Sequence, residues 1–270
     1  MDWDVLAHGY GLAEAPTIDL DGSLLFSDVL GGGVYRLDAA GAVTTVVPKR
    51  RGVGGIAIHE AGGIVCSGRD LVHVREGHET RTVLHVDGAA GWNDLCTDST
   101  GRVYAGALRF AVFDPKAEVV PGELWRLAPD AEPEVVFGDV VHANGVVCSA
   151  DDRTVYLSDT RRRRVIIFDV ERSTRREIDV STLGHPDGMA LDENGAVWVA
   201  LVSGGIVRLT PSGDVDRTLE PPSAFTTSVC FSGRDLYVTT GGNSSDPDLR
   251  GCVLRTTVDV AGAPVARARV

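Results

Sequence analysis

The strongest constraint on the fold of this chain is a short repeat that occurs six times along its 270 residues. The first unit reads TIDLDGSLLFSDVLGGGVYRLDAAGAVTTVV, in which four apolar stretches are separated by turn-forming Gly and Asp residues. Corresponding positions in successive units lie 40, 39, 51, 43 and 40 residues apart. Four-stranded units of this length, arranged around an axis, are typical of a β-propeller. The sequence therefore predicts an all-β protein, with one six-bladed β-propeller domain over residues 1–270.

The ends of the chain favour a closed ring over a linear solenoid of the same units. A solenoid needs atypical polar repeats that cap both ends, and the sequence has none. The N-terminal stretch WDVLAHG has strand character but precedes the first unit. We expect it to form the outer strand of the last blade, beside GCVLRTTV.

Composition and targeting signals exclude several classes of protein. The net charge of −12 argues against a nucleic-acid partner, and the two basic runs, Lys49–Arg51 and Arg161–Arg164, fall in predicted loops to which we assign no function. Five cysteines without CxxC spacing are typical of free thiols. With no leader peptide and no apolar run near 18 residues, the sequence predicts a cytoplasmic protein without a membrane partner.

One position of the repeat carries an oxygen-bearing side chain in four of the six units. The six residues at this position, called the ring positions below, are Glu14, Gly54, Asn93, Asn144, Asp187 and Thr227. The first strand of each propeller blade lines the central channel, so one repeat position forms a ring around the axis. Two carboxylates and an amide oxygen in so narrow a space need a cation or a shared proton. Such oxygen donors suit Ca²⁺, Mg²⁺ or Mn²⁺, and Zn²⁺ or Fe²⁺ are also compatible with them.

A simpler interpretation of these residues is that they form turns, because Asn-Gly and Asp-Gly are ordinary turn formers. Four oxygen donors at one repeat position favour the channel site instead. The GxSxG, HExxH and Walker patterns are absent, so we expect the chemistry to come from the ring positions.

Four segments resemble, in order, the signature regions of the SMP-30/gluconolactonase/LRE family of regucalcin-like lactonases: LAEAPTID, WNDLCTDSTGRVYAG, ANGVVCSADDRTVYLSDT and HPDGMALDENGAVWVA. The resemblance implies a six-bladed propeller with one divalent metal in the channel, which hydrolyses a lactone ring. It implies that Glu14, Asn144 and Asp187 bind the metal. It also implies that Asn93 contacts the substrate or a water molecule, and that Asp187 is the general base.

Two departures from the family pattern bear on the substrate. Gly91, followed by Trp92, stands where sugar-lactonase members usually have an arginine, and the stretch AGALRFAVF lacks the expected acidic residues. We therefore expect a pocket that suits an apolar or aromatic lactone, with Trp92, Phe110 and Phe113 as aromatic groups and Arg109 as a candidate replacement cation. The insertion RFAVFDPKAEVVPGEL is a candidate lid.

The sequence thus predicts a metal-dependent lactonase, a carboxylic ester hydrolase whose partner is a small lactone or ester. Two other classes stay open: a strictosidine-synthase-like propeller enzyme that catalyses condensation, isomerisation or rearrangement, and a non-enzymatic propeller that binds a small molecule or a protein. His142 and His185 lie two residues before Asn144 and Asp187. They either approach the channel mouth or are packed or solvent-facing.

Overall fold

A computed structural model of the chain describes residues 2–242 and 245–270. Within them, 24 β-strands are accompanied by one short 3-10 helix, Pro247–Leu249. No described helix is long and apolar enough to cross a membrane. In chain order the strands are β1 (Asp4–Ala7), β2 (Ala13–Ile18), β3 (Leu24–Asp28), β4 (Gly33–Leu37), β5 (Val43–Pro48), β6 (Ile56–Ile58), β7 (Ile64–Cys66), β8 (Leu71–Val74), β9 (Arg81–Leu84), β10 (Gly91–Thr97), β11 (Val103–Leu108), β12 (Gly122–Leu127), β13 (Glu134–Val140), β14 (Ala143–Cys148), β15 (Thr154–Asp159), β16 (Arg164–Asp169), β17 (Thr174–Asp179), β18 (His185–Leu191), β19 (Val197–Val202), β20 (Gly205–Leu209), β21 (Val215–Leu219), β22 (Thr226–Ser232), β23 (Asp235–Thr240) and β24 (Val253–Thr257).

The strands form six antiparallel sheets of four strands each, as the repeat predicts. Five sheets follow the chain, from β2–β5 for blade 1 to β18–β21 for blade 5. Blade 6 has the order β1-β24-β23-β22, so the N-terminal strand completes the last blade and closes the ring. The predicted pairing of WDVLAHG with GCVLRTTV is therefore confirmed, with Val5 opposite Leu254.

The apolar core is divided among the interfaces between neighbouring blades. Each of six buried clusters joins two successive blades, and the cluster of blades 6 and 1 completes the circle. This arrangement follows from strand alternation, because the side chains of each strand point to both faces of its sheet. A neighbouring blade covers each of these faces, except near the outer edge of the sheet. The first strands of successive blades also contact one another and surround the central channel.

The two ends of the channel differ. We call the end where the first strand of each blade begins the upper face, and the end where it turns into the second strand the lower face. The ring positions lie near the upper end of these first strands. Residues 258–270 follow the last blade and cross the lower face, where Gly262 bridges to Asp192 and the buried Ala268 bridges to His59.

Candidate functional site

A β-bulge interrupts the first strand at the ring position in five of the six blades. The register shifts occur between Glu14 and Thr17 and at the equivalent points of β10, β14, β18 and β22. A bulge leaves residues unpaired and changes the direction of their side chains. The repeated bulge is thus the local feature that presents the side chains of the ring positions at the channel.

Two buried carboxylates face each other at this level. Glu14 is 7% exposed and Asp187 is 6% exposed. Burial raises the pKa of both well above the ordinary range, and the charge of Asp187 adds to the effect on Glu14. Neither pKa is lowered by a cationic side chain. Asp187 Oδ1 is moreover buried without a hydrogen-bond partner among the described residues, which is costly for a carboxylate oxygen.

The two asparagines of the ring positions are held through their amide nitrogens. Asn144 Nδ2 donates to Thr160 Oγ1 at 3.2 Å, and Asn93 Nδ2 donates to the carbonyl oxygen of Ala143 at 3.0 Å. Asn144 also hydrogen-bonds Asp187, which opposes the rise of the Asp187 pKa. With the nitrogens used in this way, the amide oxygens are the groups left to accept a bond from a ligand or a cation.

The other two ring positions have structural roles. A Cβ atom on Gly54 would lie 2.0 Å from Asn93 Oδ1, so the space beside Gly54 is filled by the amide and is not an opening for substrate. Thr227 Oγ1 donates to the carbonyl oxygen of Ala13 at 2.6 Å and bonds Thr239 Oγ1 at 2.9 Å. Thr227 therefore joins the last blade to the first.

A third carboxylate, Asp94, belongs to the site and was not predicted. Its oxygens accept from the backbone nitrogens of Leu95 at 2.7 Å and Val146 at 3.2 Å, and burial raises its pKa to about 7. Its charge raises the pKa of both Glu14 and Asp187. A signal was present in the repeat: the position after the ring position holds a small residue in the other five units and an acid only here.

The donors at this level fit a hard divalent cation. Glu14 and Asp187 supply carboxylate oxygens, one of them unpartnered, and Asn144 supplies an amide oxygen. Within the part of the chain that the structure describes, no three His, Cys, Asp or Glu side chains form a metal-binding group. The metal ligands predicted from the sequence are two carboxylates and one amide oxygen, so they are not a group of three such side chains.

Two of the expected aromatic groups do not line the channel. Trp92 is 1% exposed in the core between blades 2 and 3, with its ring edge-on to Trp125 at 6.1 Å. Adjacent residues of a strand point to opposite sides, so a side chain next to Asn93 is directed into the blade interface. Phe113 is 65% exposed on the insertion. The structure therefore gives Trp92 a packing role in place of the substrate contact that we expected.

Arg109, the expected replacement cation, is engaged elsewhere. Its Nε donates to both carboxylate oxygens of Glu123 at 3.0 and 3.1 Å, and its Nη1 donates to the carbonyl oxygen of Asp87 at 3.2 Å. A Cβ atom on Gly91 would lie 3.2 Å from the carbonyl oxygen of Gly68. The structure thus supplies no free cation at Arg109 and little room for one at Gly91.

A different arginine lies at the upper face. The guanidinium carbon of Arg161 lies 4.9 Å from the ring centroid of Phe110, which is only 5% exposed. Burial and the charge of Arg161 lower the pKa of His142 to about 4, so this imidazole is neutral at pH 7. His185 is exposed, and its Nδ1 lies 3.3 Å from the carbonyl oxygen of Thr160. Both histidines are thus near the loop that begins at Thr160.

A cavity of about 460 Å³ lies below the ring positions. It is lined by apolar residues of the first strands, by Asp94 and by three cysteines, and it does not include Glu14, Asn144 or Asp187. Two of these cysteines, Cys96 and Cys148, have their sulfur atoms 3.0 Å apart as free thiols. Asp94 is therefore the residue that connects the carboxylate site with the lower channel.

Comparison with known proteins agrees with this arrangement. Residues 12–242 match the family described as SMP-30/Gluconolactonase/LRE-like region. The chain is 31% identical to a 6-deoxy-6-sulfogluconolactonase of Pseudomonas putida, over 93% of this chain and 92% of the relative. It is 30% identical to regucalcin of Xenopus laevis, over 90% and 88% of the two chains.

Solved structures show the same fold. A luciferin-regenerating enzyme superposes with a TM-score of 0.87 at 23% identity, over 100% of this chain and 99% of the other. A regucalcin of Agrobacterium tumefaciens, described as a calcium-binding protein, superposes with a TM-score of 0.85 at 21% identity, over 98% and 97%. With its six blades, its ring of oxygen donors and a family match over most of its length, the chain belongs to the SMP-30/gluconolactonase/LRE-like family.

Proposed function

We propose that this protein is a metal-dependent hydrolase that opens the ring of a small lactone. The observation that carries the proposal is the pair of buried carboxylates, Glu14 and Asp187, of which one oxygen has no hydrogen-bond partner among the described residues. The family membership supports the reaction class, because one relative is named as a sulfogluconolactonase. The name of the calcium-binding relative supports a divalent cation.

Glu14, Asn144 and Asp187 would hold the cation. When bound, a divalent ion supplies a Lewis acid that polarises a carbonyl group and lowers the pKa of nearby water. Without it, burial raises the pKa of all three acids, and the charge of Asp94 raises the pKa of Glu14 and Asp187 further. The chain therefore gains stability when the cation binds, which favours occupancy of the site.

Asp187 is the candidate general base. Asp187 would take a proton from the attacking water through the carboxylate oxygen that does not hold the cation, while the Asn144 amide and the backbone N–H of Gly188 hold the side chain. Asn93 has its nitrogen bonded to Ala143, so its Oδ1 acts as an acceptor for a hydroxyl group or a water molecule. In this arrangement Asn93 would orient the water and Asp187 would accept its proton, and both residues belong to the ring positions.

The proposed substrate is a small lactone without an aromatic requirement. The sequence favoured an apolar or aromatic lactone because of Trp92, Phe110 and Phe113 and because the expected arginine and acidic residues are missing. Trp92 is packed in the core, Arg161 stacks on Phe110, and Phe113 is exposed on the insertion. Polar groups, not aromatic rings, are thus the groups available to recognise the substrate at the upper face.

The test is hydrolysis of a lactone panel by metal-loaded and chelator-treated protein, combined with calorimetric titration of Ca²⁺, Mg²⁺, Mn²⁺ and Zn²⁺. We expect that chelation abolishes hydrolysis and that Asp187→Ala lowers kcat/KM at least about 100-fold, because a donor and the base are lost together. Glu14→Gln should weaken metal binding at least about tenfold, because it removes one charge from the site.

Asp38→Asn is the matched control, since it removes a carboxylate from an exposed turn of the lower face. It should change neither metal affinity nor turnover. Hydrolysis that survives both chelation and Asp187→Ala would contradict the proposal. Analysis of the product would separate ring opening from the rearrangement or condensation that a strictosidine-synthase-like enzyme performs.

A further inference from the structure

We propose that Arg161 is a specificity residue that binds an anionic substituent of the lactone, namely a sulfonate, phosphate or carboxylate group, at the upper face. The inference rests on the proposed lactonase function and adds the class of substrate to it. Its basis is one exposed cation on the upper-face loop that follows Thr160, a bonding partner of Asn144, and this cation has no carboxylate partner among the described residues.

The position of Arg161 is fixed by its neighbour in the chain. Thr160 Oγ1 accepts from Asn144 Nδ2 at 3.2 Å and donates to the carbonyl oxygen of Pro186 at 2.7 Å. Thr160 therefore bonds a candidate metal donor and also the residue before Asp187. The following residue, Arg161, begins its side chain directly beside these two strands.

Arg161 differs from the other arginines of the same run. Arg162 pairs with Asp139, Arg164 pairs with Asp159 and Glu177, and Arg163 Nη1 donates to the carbonyl oxygen of Ser181 at 3.4 Å. In residues 2–242 and 245–270, no carboxylate lies within ion-pair distance of Arg161, although its side chain is exposed. The run as a whole is a solvated loop, as the sequence suggested, but this one guanidinium is available to a ligand.

The contact with Phe110 orients the guanidinium without consuming its hydrogen-bond donors. A guanidinium over a ring face, here at 4.9 Å, is attracted to the π-electrons and keeps its N–H groups free at its edge. Those donors form a planar fork that matches two oxygens of a sulfonate, phosphate or carboxylate. Because the side chain is already held by Phe110, binding such a group costs less conformational entropy.

The charge of the rest of the molecule makes this cation important for an anionic substrate. The chain has a net charge of −12, and three carboxylates lie at the reaction site. The proposed divalent cation would offset the carboxylates of the site, and a further cation at the entrance would attract an anionic lactone against the negative charge of the rest of the molecule. Arg109 cannot serve in this way while Glu123 neutralises it. Arg161, which is exposed on the upper face and has free donors, can meet this need.

The experiment compares metal-loaded wild type, Arg161→Met, Arg161→Lys and the control Arg163→Met. The substrates are gluconolactone, its 6-phosphate ester and 6-deoxy-6-sulfogluconolactone. We expect wild type to prefer the two anionic lactones. Arg161→Met should lower the ratio of kcat/KM for anionic over neutral lactone at least about tenfold, mainly through KM, because it removes the charge and both donors but keeps the packing on Phe110. Arg161→Lys should restore part of the ratio, and Arg163→Met should leave it at the wild-type value.

A binding measurement separates failure of this inference from failure of the proposed function. Calorimetric titration with 6-phosphogluconate and with gluconate requires no turnover. The affinity for 6-phosphogluconate should fall at least about tenfold in Arg161→Met and should be unchanged in Arg163→Met. If wild type hydrolyses lactones but the two arginine variants behave alike in both assays, the inference is wrong while the lactonase function stands. If wild type hydrolyses no lactone, the proposed function fails, and the titration still decides whether Arg161 binds the anion.

Discussion

At the scale of single residues, the main feature of the site is a group of three buried or half-buried acids, Glu14, Asp94 and Asp187. Each has a pKa above its ordinary value, mainly because burial penalises the charged form. A soluble protein keeps such a group only when a proton, a cation or a function compensates for the cost. The protonation state of these acids therefore links the pH, the proposed binding of a metal and the stability of the fold.

The metal-free protein should lose stability as the pH rises from about 4 to about 7. Asp94 holds its proton up to about pH 7 in the folded state, whereas an unfolded aspartate releases it near pH ~3.9. The folded chain binds more protons than the unfolded chain between these values, so the free energy of unfolding decreases with pH there and levels off above. Thermal unfolding in chelator at pH 5, 6, 7 and 8 measures the effect.

Asp94→Asn provides the comparison, because the amide does not titrate. The difference in Tm between wild type and Asp94→Asn should grow in favour of the variant as the pH rises, and added divalent metal should reduce the loss in wild type. A wild-type Tm that follows that of Asp94→Asn in parallel over this interval would show that Asp94 is not protonated in the fold.

The predictability of single residues depends on whether their role repeats from blade to blade. Glu14, Asn144 and Asp187 could be selected because one repeat position becomes one place in a propeller. Asp94 occurs at its position in a single unit, so repetition did not reveal it. Trp92 was expected at the pocket because it follows Gly91 at a departure from the family pattern, although strand alternation directs it away from the side of Asn93. The free donors of Arg161 depend on which carboxylates its neighbours reach, and that is a property of the folded surface.

At the scale of elements, two glycines allow the first strands to approach one another. A Cβ atom on Gly145 would lie 2.3 Å from the carbonyl oxygen of Asp187, and one on Gly188 would lie 2.0 Å from Ser228 Oγ. Both glycines belong to strands, β14 and β18, and not to turns. The Asn-Gly and Asp-Gly pairs of the sequence thus serve close packing beside the two donor side chains, which a turn interpretation would not predict.

Gly188→Ala should destabilise the protein by about 1–3 kcal/mol, because the added methyl group overlaps Ser228 and forces the strands apart. Chemical denaturation with urea measures the change. Gly138→Ala is a matched control on the outer strand β13, where the nearest atom to an added Cβ is 3.8 Å away, and it should stay within about 0.5 kcal/mol of wild type. The double variant Gly188→Ala, Ser228→Gly should recover part of the loss. Equal stability of Gly188→Ala and Gly138→Ala would contradict the close-approach account.

At the scale of the whole molecule, the ring depends on contacts between the first and last parts of the chain. β1 pairs with β24, and Thr227 bonds the carbonyl oxygen of Ala13 across 214 residues. The spacing of the repeat and the strand character of WDVLAHG were sufficient to predict this closure. The path of residues 258–270 across the lower face was not predictable, because that segment lies outside the repeat and lacks its alternation.

Removal of residues 1–7 should open the last blade and lower the Tm, because the edge of β24 loses its partner and its backbone groups are exposed. Circular dichroism melting and limited proteolysis measure the effect, and cleavage should concentrate in blade 6. The control is Asp4→Asn, which removes only the exposed ion pair with Arg255 and keeps the strand pairing, so it should change stability by less than about 1 kcal/mol. A truncated protein that melts and resists protease like wild type would show that the ring does not need this strand.

The pairing of β1 with β24 also sets an order of events during synthesis on the ribosome. The residues that form the Asp4–Arg255 pair are 251 positions apart, so β1 leaves the ribosome long before its partner β24. At bacterial or eukaryotic rates of translation this delay is roughly 10–50 s. Glu14 is likewise made long before Asp187, and the nascent chain cannot offer both to a cation until four blades and the first strand of blade 5 have emerged. The proposed metal loading would therefore follow the synthesis of the first four blades.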